Sequence, residues 1–397
     1  MIKRLLSMGI CLILVSMIAG CSLSDNLYQD GKKSFVDGNY EEAAVYFEAA
    51  IKENPNRADY YIDYGMSLIK LNQYEAALAE FDKAYVNKDV IIVNRNNKRL
   101  YRGKGIAYYY MLEYENAIVE FNKALDVHEL SELDVDILYY IGSSFITIGA
   151  YDEAIKTYTK LIKRNKNTAD AYNSRALCYR NQGDYELSLA DYDAAIKLEP
   201  KNFSHYFGMY YLLAESGDEV SANEVLKMAA ELTMETSADQ YNLAKVHFYQ
   251  GNYEEALSEL SEGFKNGFTE AYYYIGEIYR IKKDYPKAVY YYDIFIEEGE
   301  IMAPNVYNQI ASSLIKIGDY SQALNYLEQG IAYNHAATMK TLKKNEIIAY
   351  ECLGEFAKAK EKLTQYLATY PKDEEAKREA QFVETRVAET VTETNKE

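Results

Sequence analysis

Tryptophan is absent from this sequence of 397 residues, which also contains only five prolines and four cysteines. Because proline is the residue that most strongly interrupts helices, its scarcity leaves long stretches free to be helical. The cysteines, Cys11, Cys21, Cys178 and Cys352, are too few and too far apart for a disulfide framework or a zinc site. Hydrophobic residues make up 49% of the chain, which is enough to bury a core. We therefore expect a folded, mainly helical protein.

Basic residues are also in short supply. The chain has 43 Lys and Arg against 61 Asp and Glu, which gives a formal net charge of -18. Proteins that bind nucleic acid neutralise phosphates with a basic face, and this balance makes such a face hard to assemble. We therefore expect no nucleic-acid partner.

The first 21 residues have the features of an export signal. Lys3 and Arg4 precede an apolar stretch that is too short to span a bilayer comfortably. The stretch ends in Ile18-Ala19-Gly20-Cys21, which resembles the lipobox of bacterial lipoproteins. A plain secretory signal that ends in an incidental cysteine is the alternative.

The lipobox resemblance implies a removable signal peptide at residues 1–20 and a diacylglyceryl group on Cys21. Two acyl chains, for example palmitate, hold a protein on a membrane more stably than one chain does. Residues 21–23 would then form a lipid-anchored linker. We expect the protein on the extracytoplasmic side of a bacterial cell membrane.

The rest of the chain repeats at intervals of 32 to 40 residues. An aromatic residue marks each unit except one, where Glu219 stands instead: Tyr40, Tyr74, Tyr114, Tyr151, Tyr185, Tyr253, Tyr285, Tyr320 and Phe356. Three positions later lies alanine in nine units and Ser188 in the tenth. Small, bulky and small residues at offsets 3, 7 and 10 share one face of a helix, where alanine lets a neighbouring helix approach closely. A glycine ahead of most of the aromatic residues supplies the turn between two helices.

This pattern resembles the tetratricopeptide repeat across nearly the whole mature chain. The resemblance implies an all-α fold, an α-solenoid in which about ten helix-turn-helix repeats form a right-handed superhelix, with a C-terminal capping helix. We assign repeats 1–5 to 24–202, a degenerate repeat 6 to 203–236, repeats 7–10 to 237–373, and a capping helix with a polar tail to 374–397. Repeat 6 is the expected joint between two sub-arrays.

Residues that could support chemistry are sparse. The histidines, His128, His205, His247 and His335, stand in different repeats, and no pair has metal-ligand spacing within a helix. No glycine-rich phosphate loop or nucleophile elbow occurs. We therefore expect no metal, no cofactor and no catalytic residue, and we interpret the protein as a non-enzyme. We expect Cys178 and Cys352 to be buried and free.

The family resemblance also implies a concave groove lined by the fifth, ninth and twelfth positions of each first helix. Our candidate binding residues are Tyr28, Lys32, Phe35, Arg102, Tyr109, Tyr139, Arg180, Phe207, Tyr211, Tyr241, Lys245, Phe248, Tyr273 and Arg280. Three positions in each of ten repeats make thirty. Including Lys344, these positions hold six basic residues and two acidic ones, Glu277 and Glu351. This predicts a mildly positive, aromatic groove for a protein or peptide with apolar and acidic character. Alternatively, some of these aromatic residues only pack between helices.

Three functional interpretations follow from the sequence. The leading one is a membrane-anchored scaffold or adaptor that binds a protein segment without catalysis. The second is an accessory lipoprotein for envelope assembly, pilus formation or secretion. The third is an enzyme, or its regulatory subunit, with a pocket at the irregular sixth repeat.

Overall fold

The computed structural model describes residues 23–86, 88–164, 168–299 and 304–394, and within these ranges every regular element is a helix. The α-helices are α1 (23–36), α2 (Tyr40–Glu53), α3 (Ala58–Lys70), α4 (Tyr74–Ala84), α5 (Ile91–Tyr110), α6 (Tyr114–Asp126), α7 (Asp134–Thr147), α8 (Tyr151–Arg164), α9 (Ala169–Gln182), α10 (Tyr185–Leu198), α11 (Phe203–Ser216), α12 (Glu219–Ala230), α13 (Ser237–Tyr249), α14 (Tyr253–Lys265), α15 (Glu270–Ile281), α16 (Tyr285–Glu298), α17 (Pro304–Ile317), α18 (Tyr320–Ala332), α19 (Ala336–Cys352), α20 (Phe356–Thr369) and α21 (Glu374–Thr394). The predicted all-α class is confirmed.

Short left-handed turns join the two helices of a repeat. At the end of α9, Gly183 has a φ of 84° and donates its N–H to the Arg180 carbonyl at 3.0 Å. A residue with a Cβ is strained in this conformation, which is why glycine precedes most of the marker aromatics. Leu112 and Lys283 stand at the equivalent position of their repeats without being glycine, with φ of 65° and 62°.

A second set of glycines, inside the first helices, sets the distance between the helices of a pair. The ring of Phe81 in α4 is fully buried and lies against Gly65 in α3 and Gly103 in α5. A Cβ added at Gly65 would lie 2.7 Å from the Phe81 ring. The repeat core therefore depends on glycine facing an aromatic ring, in addition to the alanines that the sequence pattern singles out.

The described residues divide into two compact units, one drawn from 1–146 and 150–166 and the other from 147–149 and 167–397. In the first unit, the core includes Phe81, Leu100 and Phe121. The irregular repeat at 203–236 lies inside the second unit, where α11 packs against α10 and α12.

Three sequence expectations concern the cysteines and the membrane. Cys178 is buried as expected, but the expected burial of Cys352 is wrong, because this last residue of α19 is exposed. Cys21 and the signal segment 1–20 lie outside the described residues. None of the described helices combines the length and the apolar character that a bilayer span requires.

Candidate functional site

A cavity of about 430 Å³ opens in the first unit among residues of α1, α3 and α5. We call it the N-terminal pocket. Its apolar walls include the buried side chains of Phe47 and Ile62. Three of the candidate binding residues, Lys32, Phe35 and Arg102, line this pocket together. Sequence positions that are up to 70 residues apart thus converge on one concave surface.

Charged side chains surround the N-terminal pocket, and most of them are already paired. Arg99 donates to Asp63, and Arg102 donates to Asp136 with an Nε to Oδ2 distance of 2.6 Å. Lys32 is exposed and makes no ion pair within the described ranges; its Nζ lies 5.6 Å from the centroid of the Tyr28 ring. Lys32 is therefore the cation of this pocket that is available to a partner.

The Tyr28 side chain belongs to the core of the first repeats. It is 7% exposed, its ring stacks on Tyr60 at 4.6 Å, and its hydroxyl donates to Asp63 Oδ2 at 2.5 Å. Burial, reinforced by the Asp63 carboxylate, raises the pKa of the Tyr28 hydroxyl well above its usual range. Tyr28 therefore orients Asp63 and leaves little surface for a partner.

Tyr109 and Tyr139 also lie in the first unit, and both are partly buried. The Tyr109 hydroxyl lies 3.0 Å from Ser143 Oγ, and its ring packs edge-on against Tyr140. The Tyr139 ring lies 6.2 Å from Tyr158, measured between centroids. Neither lines the N-terminal pocket.

Lys245 stands at the centre of an aromatic cluster in the second unit. We define the aromatic cluster by its members: Phe207, Tyr210, Tyr211, Tyr241, Phe248, Tyr249, Tyr273 and Tyr274. The Lys245 Nζ lies 4.5 Å from the Phe207 centroid, 5.6 Å from Tyr241 and 5.4 Å from Tyr274. Burial lowers the pKa of Lys245 to about 8, although the Glu270 carboxylate acts in the opposite direction. Ring faces partly replace the water that this ammonium group has lost.

Most of the aromatic cluster is packed. Phe207 and Tyr241 are buried, and the Tyr241 ring stacks on Phe268 at 4.9 Å. Phe248 packs edge-on against Tyr274 at 5.3 Å, and Tyr273 packs against the core residue Phe295 at 6.0 Å. For these four residues the packing interpretation of the sequence therefore holds.

Among the candidate residues of the aromatic cluster, Tyr211 has the largest exposed fraction, 40%. Its hydroxyl contacts the Tyr249 hydroxyl, and the guanidinium of Arg180 lies 5.8 Å from its ring centroid. Arg180 also faces Glu215 at 3.5 Å.

The predicted surplus of positive charge is offset by carboxylates that stand outside the thirty counted positions. Asp136 pairs with Arg102, Glu215 faces Arg180, and Asp373 and Glu375 face Lys344. The counted acid Glu277 itself pairs with Arg280 at 2.6 Å. Asp136 stands at the second position of its repeat, where the sequence already places a row of acids that offsets the positive charge along one rim, whereas Glu215, Asp373 and Glu375 lie at positions outside that pattern.

Two groups of side chains in the described ranges could hold a metal ion. They are Asp170 with Glu199 and His205, and His247 with Glu255 and Glu259. The spacing of histidines within single helices does not reveal clusters that form between helices.

The helices pair along the sequence, and in several pairs a glycine of one helix faces an aromatic ring of the next, as Gly65 faces Phe81 and Gly276 faces Tyr292. This arrangement defines a protein built from helix-hairpin repeats. Sequence profiles described as tetratricopeptide repeat match residues 36–84, 102–164, 169–202, 241–300 and 304–335, which together exceed half of the chain. The chain belongs to the tetratricopeptide-repeat family, and the predicted repeat fold is confirmed.

Similar proteins come from distant organisms. The DnaJ homolog subfamily C member 7 homolog of Dictyostelium discoideum is 22% identical over 269 residues, which cover 62% of this chain and 47% of that protein. TPR repeat-containing protein MJ1428 of Methanocaldococcus jannaschii is 29% identical over 211 residues, which cover 50% of this chain and 36% of that protein. The chain thus spans less than half of the length of these curated relatives.

Among solved structures, a tetratricopeptide repeat protein from Parabacteroides merdae is similar with 17% identity and a TM-score of 0.48. The match covers 62% of this chain and 94% of that one.

Proposed function

We propose that this protein is a lipid-anchored, extracytoplasmic scaffold that binds a protein segment of apolar and acidic character through its N-terminal pocket, without catalysis. The observation that carries the proposal is the convergence of Lys32, Phe35 and Arg102 on one cavity of about 430 Å³. Each of these residues is a candidate binding residue because the family resemblance places it at a groove position.

The chemistry of the pocket favours such a segment. Val36 at its edge is 84% exposed, so an apolar side chain that covers it removes hydrophobic surface from water. Lys32 adds a cation with no carboxylate partner in the described ranges, close to the paired Arg99 and Arg102. A partner carboxylate can bind Lys32 without first displacing an internal partner.

The test is selection of binding peptides from a random displayed library by the full-length protein in detergent. We expect enrichment of sequences that combine Asp or Glu with apolar residues. Lys32→Glu and Val36→Asp should each weaken the binding of the selected peptides at least about tenfold, which corresponds to about 1.4 kcal/mol.

Matched controls are available on α1 and on the adjacent helix α2. Lys33→Glu changes the charge of an exposed neighbour of Lys32 in α1, and Val45→Asp changes a valine in α2 that is 65% exposed; neither residue lines the pocket. Binding should survive both changes. Equal losses in the control and pocket variants, or selected peptides without acidic residues, would refute the proposed site.

The anchor rests on the resemblance of Ile18-Ala19-Gly20-Cys21 to a lipobox. Cells fed an alkyne analogue of palmitate should label the wild-type protein and the Cys352→Ser variant, but not Cys21→Ser. Cys352 is the appropriate control because it is the exposed cysteine in the described part of the chain. Labelling that persists in Cys21→Ser would contradict the anchor and leave the pocket proposal unaffected.

A further inference from the structure

His205, the third residue of α11, is a buried polar side chain that makes no hydrogen bond. Its exposed fraction is 0%, and neither Nδ1 nor Nε2 makes a hydrogen bond. A buried polar group that lacks a partner is costly, and most buried polar groups in proteins are satisfied. The His205 imidazole therefore requires an explanation that the repeat packing does not supply.

Two carboxylates lie beside this imidazole. Glu199 directly follows the last residue of α10, and Asp170 is the second residue of α9. The Nε2 atom of His205 lies 3.5 Å from Glu199 Oε2, and one donor atom from each of the three residues lies within 4.8 Å of the others. One nitrogen and two oxygens from three helical regions thus surround a common point.

The second histidine cluster provides a contrast. His247 Nδ1 lies 2.7 Å from Glu259 Oε2, so that imidazole already has a hydrogen-bond partner, and its side chain is partly exposed. His205 has neither solvent nor a hydrogen bond. The need for an additional ligand is therefore specific to the cluster at His205.

We propose that Asp170, Glu199 and His205 bind one divalent transition-metal ion, with Zn²⁺ as the best-matched probe. Imidazole nitrogen and carboxylate oxygen are common zinc donors at about 2.0–2.2 Å, and three protein ligands leave a fourth position for water. Asp170 and Glu199 are exposed, so their carboxylates can rotate by the small distance needed to close on the metal. Ca²⁺ and Mg²⁺ prefer sites made of oxygen alone and fit this donor set poorly.

The turn between α10 and α11 holds Glu199 in place for this role. Asn202 donates from Nδ2 to Glu199 Oε2 at 3.0 Å, and its Oδ1 accepts the Ser204 N–H at the start of α11. The Tyr206 hydroxyl donates to the Pro200 carbonyl at 2.8 Å. Hydrogen bonds of this kind orient metal ligands and are part of a functioning site.

A metal ion at this site would join the start of α9 to the turn before α11. Because such an ion binds the folded chain and not the unfolded one, it would stabilise this part of the second unit by an amount that grows with the logarithm of its concentration once that exceeds the dissociation constant. The site is structural in this interpretation, and it is independent of the N-terminal pocket.

The test uses the full-length protein in detergent, stripped of metal and titrated with Zn²⁺ against a chromophoric chelator. We expect one zinc per chain, a rise in the thermal midpoint with added Zn²⁺, and no competition from Ca²⁺ or Mg²⁺. Glu199→Gln retains the size of the side chain but is a poor ligand, and it should weaken zinc binding at least about tenfold. Its midpoint without metal should match that of the wild type, which separates lost binding from misfolding.

Two control variants remove other candidate ligands. His128→Asn changes an exposed histidine in the first unit, and Glu255→Gln changes the second histidine cluster. Both should bind zinc like the wild type. The proposal is overturned if the wild type binds no stoichiometric zinc, if Glu199→Gln binds it equally well, or if Glu255→Gln is the variant that loses it.

Discussion

The ammonium nitrogen of Lys245 lies 4.5 Å from the centroid of the Phe207 ring, and the rings of Tyr241 and Tyr274 complete its surroundings. In the described ranges, its closest polar contact is a long one of 3.5 Å to the Asn242 side-chain oxygen. The sequence identifies Lys245 and five of the aromatic cluster residues as groove positions, and in the structure the Lys245 side chain is packed among rings of this cluster. Lys245 therefore couples the stability of the second unit to pH.

We predict that the contribution of Lys245 to stability against urea increases as the pH rises from about 8 to 10. Burial lowers the pKa of Lys245 to about 8 from an ordinary value of 10.5, so between these values the unfolded chain binds a proton that the folded chain does not. The Lys245 contribution then increases with pH, and the cost of burying the charged form is fully present only below pH 8. Burial raises the pKa of tyrosines such as Tyr241 and Tyr274, which acts in the opposite direction near pH 10, so the Lys245 contribution is measured as the difference between the wild type and Lys245→Met. The expected gain is about 1–3 kcal/mol, measured from urea unfolding curves at fixed ionic strength.

Lys245→Met isolates this effect from all other titrating groups. The variant retains an unbranched apolar side chain among the rings, so it should be more stable than the wild type at pH 7, and the difference should shrink towards pH 10. A difference that does not change with pH would show that Lys245 is not the group responsible.

A buried ion pair holds α5 against α7 in the first unit. Lys98 is 0% exposed, and its ammonium group donates to Asp134 Oδ1 at 2.5 Å and to the Val127 carbonyl at 2.9 Å. Arg164 binds the other carboxylate oxygen of Asp134 at 2.7 Å. Asp134→Asn should cost about 3–5 kcal/mol because it leaves a buried ammonium group without a counter-charge. Lys98→Met should cost less, since Asp134 keeps Arg164 and an apolar chain fills the space. Urea unfolding measures the loss of stability in each variant. A larger loss in Lys98→Met than in Asp134→Asn would contradict this interpretation.

Lys283 occupies the left-handed turn position that glycine fills in most repeats. Its φ is 62° and its side chain is exposed, so a change to glycine relieves backbone strain and removes no packing. We expect Lys283→Gly to raise the unfolding free energy by about 1 kcal/mol. The neighbouring Lys282 has a φ of -72°, so Lys282→Gly should lower the unfolding free energy instead. Similar effects of both changes would show that the left-handed backbone is not strained.

The repeat fold could be predicted because its signal is periodic and local. Alanine and aromatic residues recur at fixed offsets, and Gly183 stands where the chain must turn, so each repeat reports the same structure independently. The partners of individual charges could not be predicted in this way. Asp136 opposite Arg102 and Glu199 opposite His205 belong to neighbouring helices, and their proximity depends on how the repeats pack rather than on spacing within a repeat.

The sequence does not show which candidate binding residues are accessible to a partner, for a related reason. A residue at a predicted groove position can be accessible to a partner, or it can pack against a neighbouring ring. Lys32, Phe35 and Arg102 line a cavity, whereas Phe207, Tyr241 and Tyr273 are held by adjacent aromatic rings. The abundance of tyrosine, with 42 residues, makes such side-by-side packing frequent, so a tyrosine at a groove position does not by itself indicate an accessible side chain.

The glycines that face aromatic rings set the helix spacing, and Gly65 permits a direct test of this. A Cβ at this position would lie 2.7 Å from the ring of Phe81. That ring is fully buried and is also in close contact with Gly103, so it has little room to move away. Gly65→Ala should therefore destabilise the first unit by about 1–3 kcal/mol, even though alanine is the better helix former by about 1 kcal/mol.

The double variant shows whether the Phe81 ring causes this loss. Phe81→Leu removes the planar ring that the new methyl group would meet, so Gly65→Ala should cost less in the Phe81→Leu background than in the wild type. A cycle of urea unfolding measurements on the four proteins gives the coupling energy, which we expect to be about 1 kcal/mol. Additive effects of the two changes would mean that Gly65 is required for a reason other than its contact with Phe81.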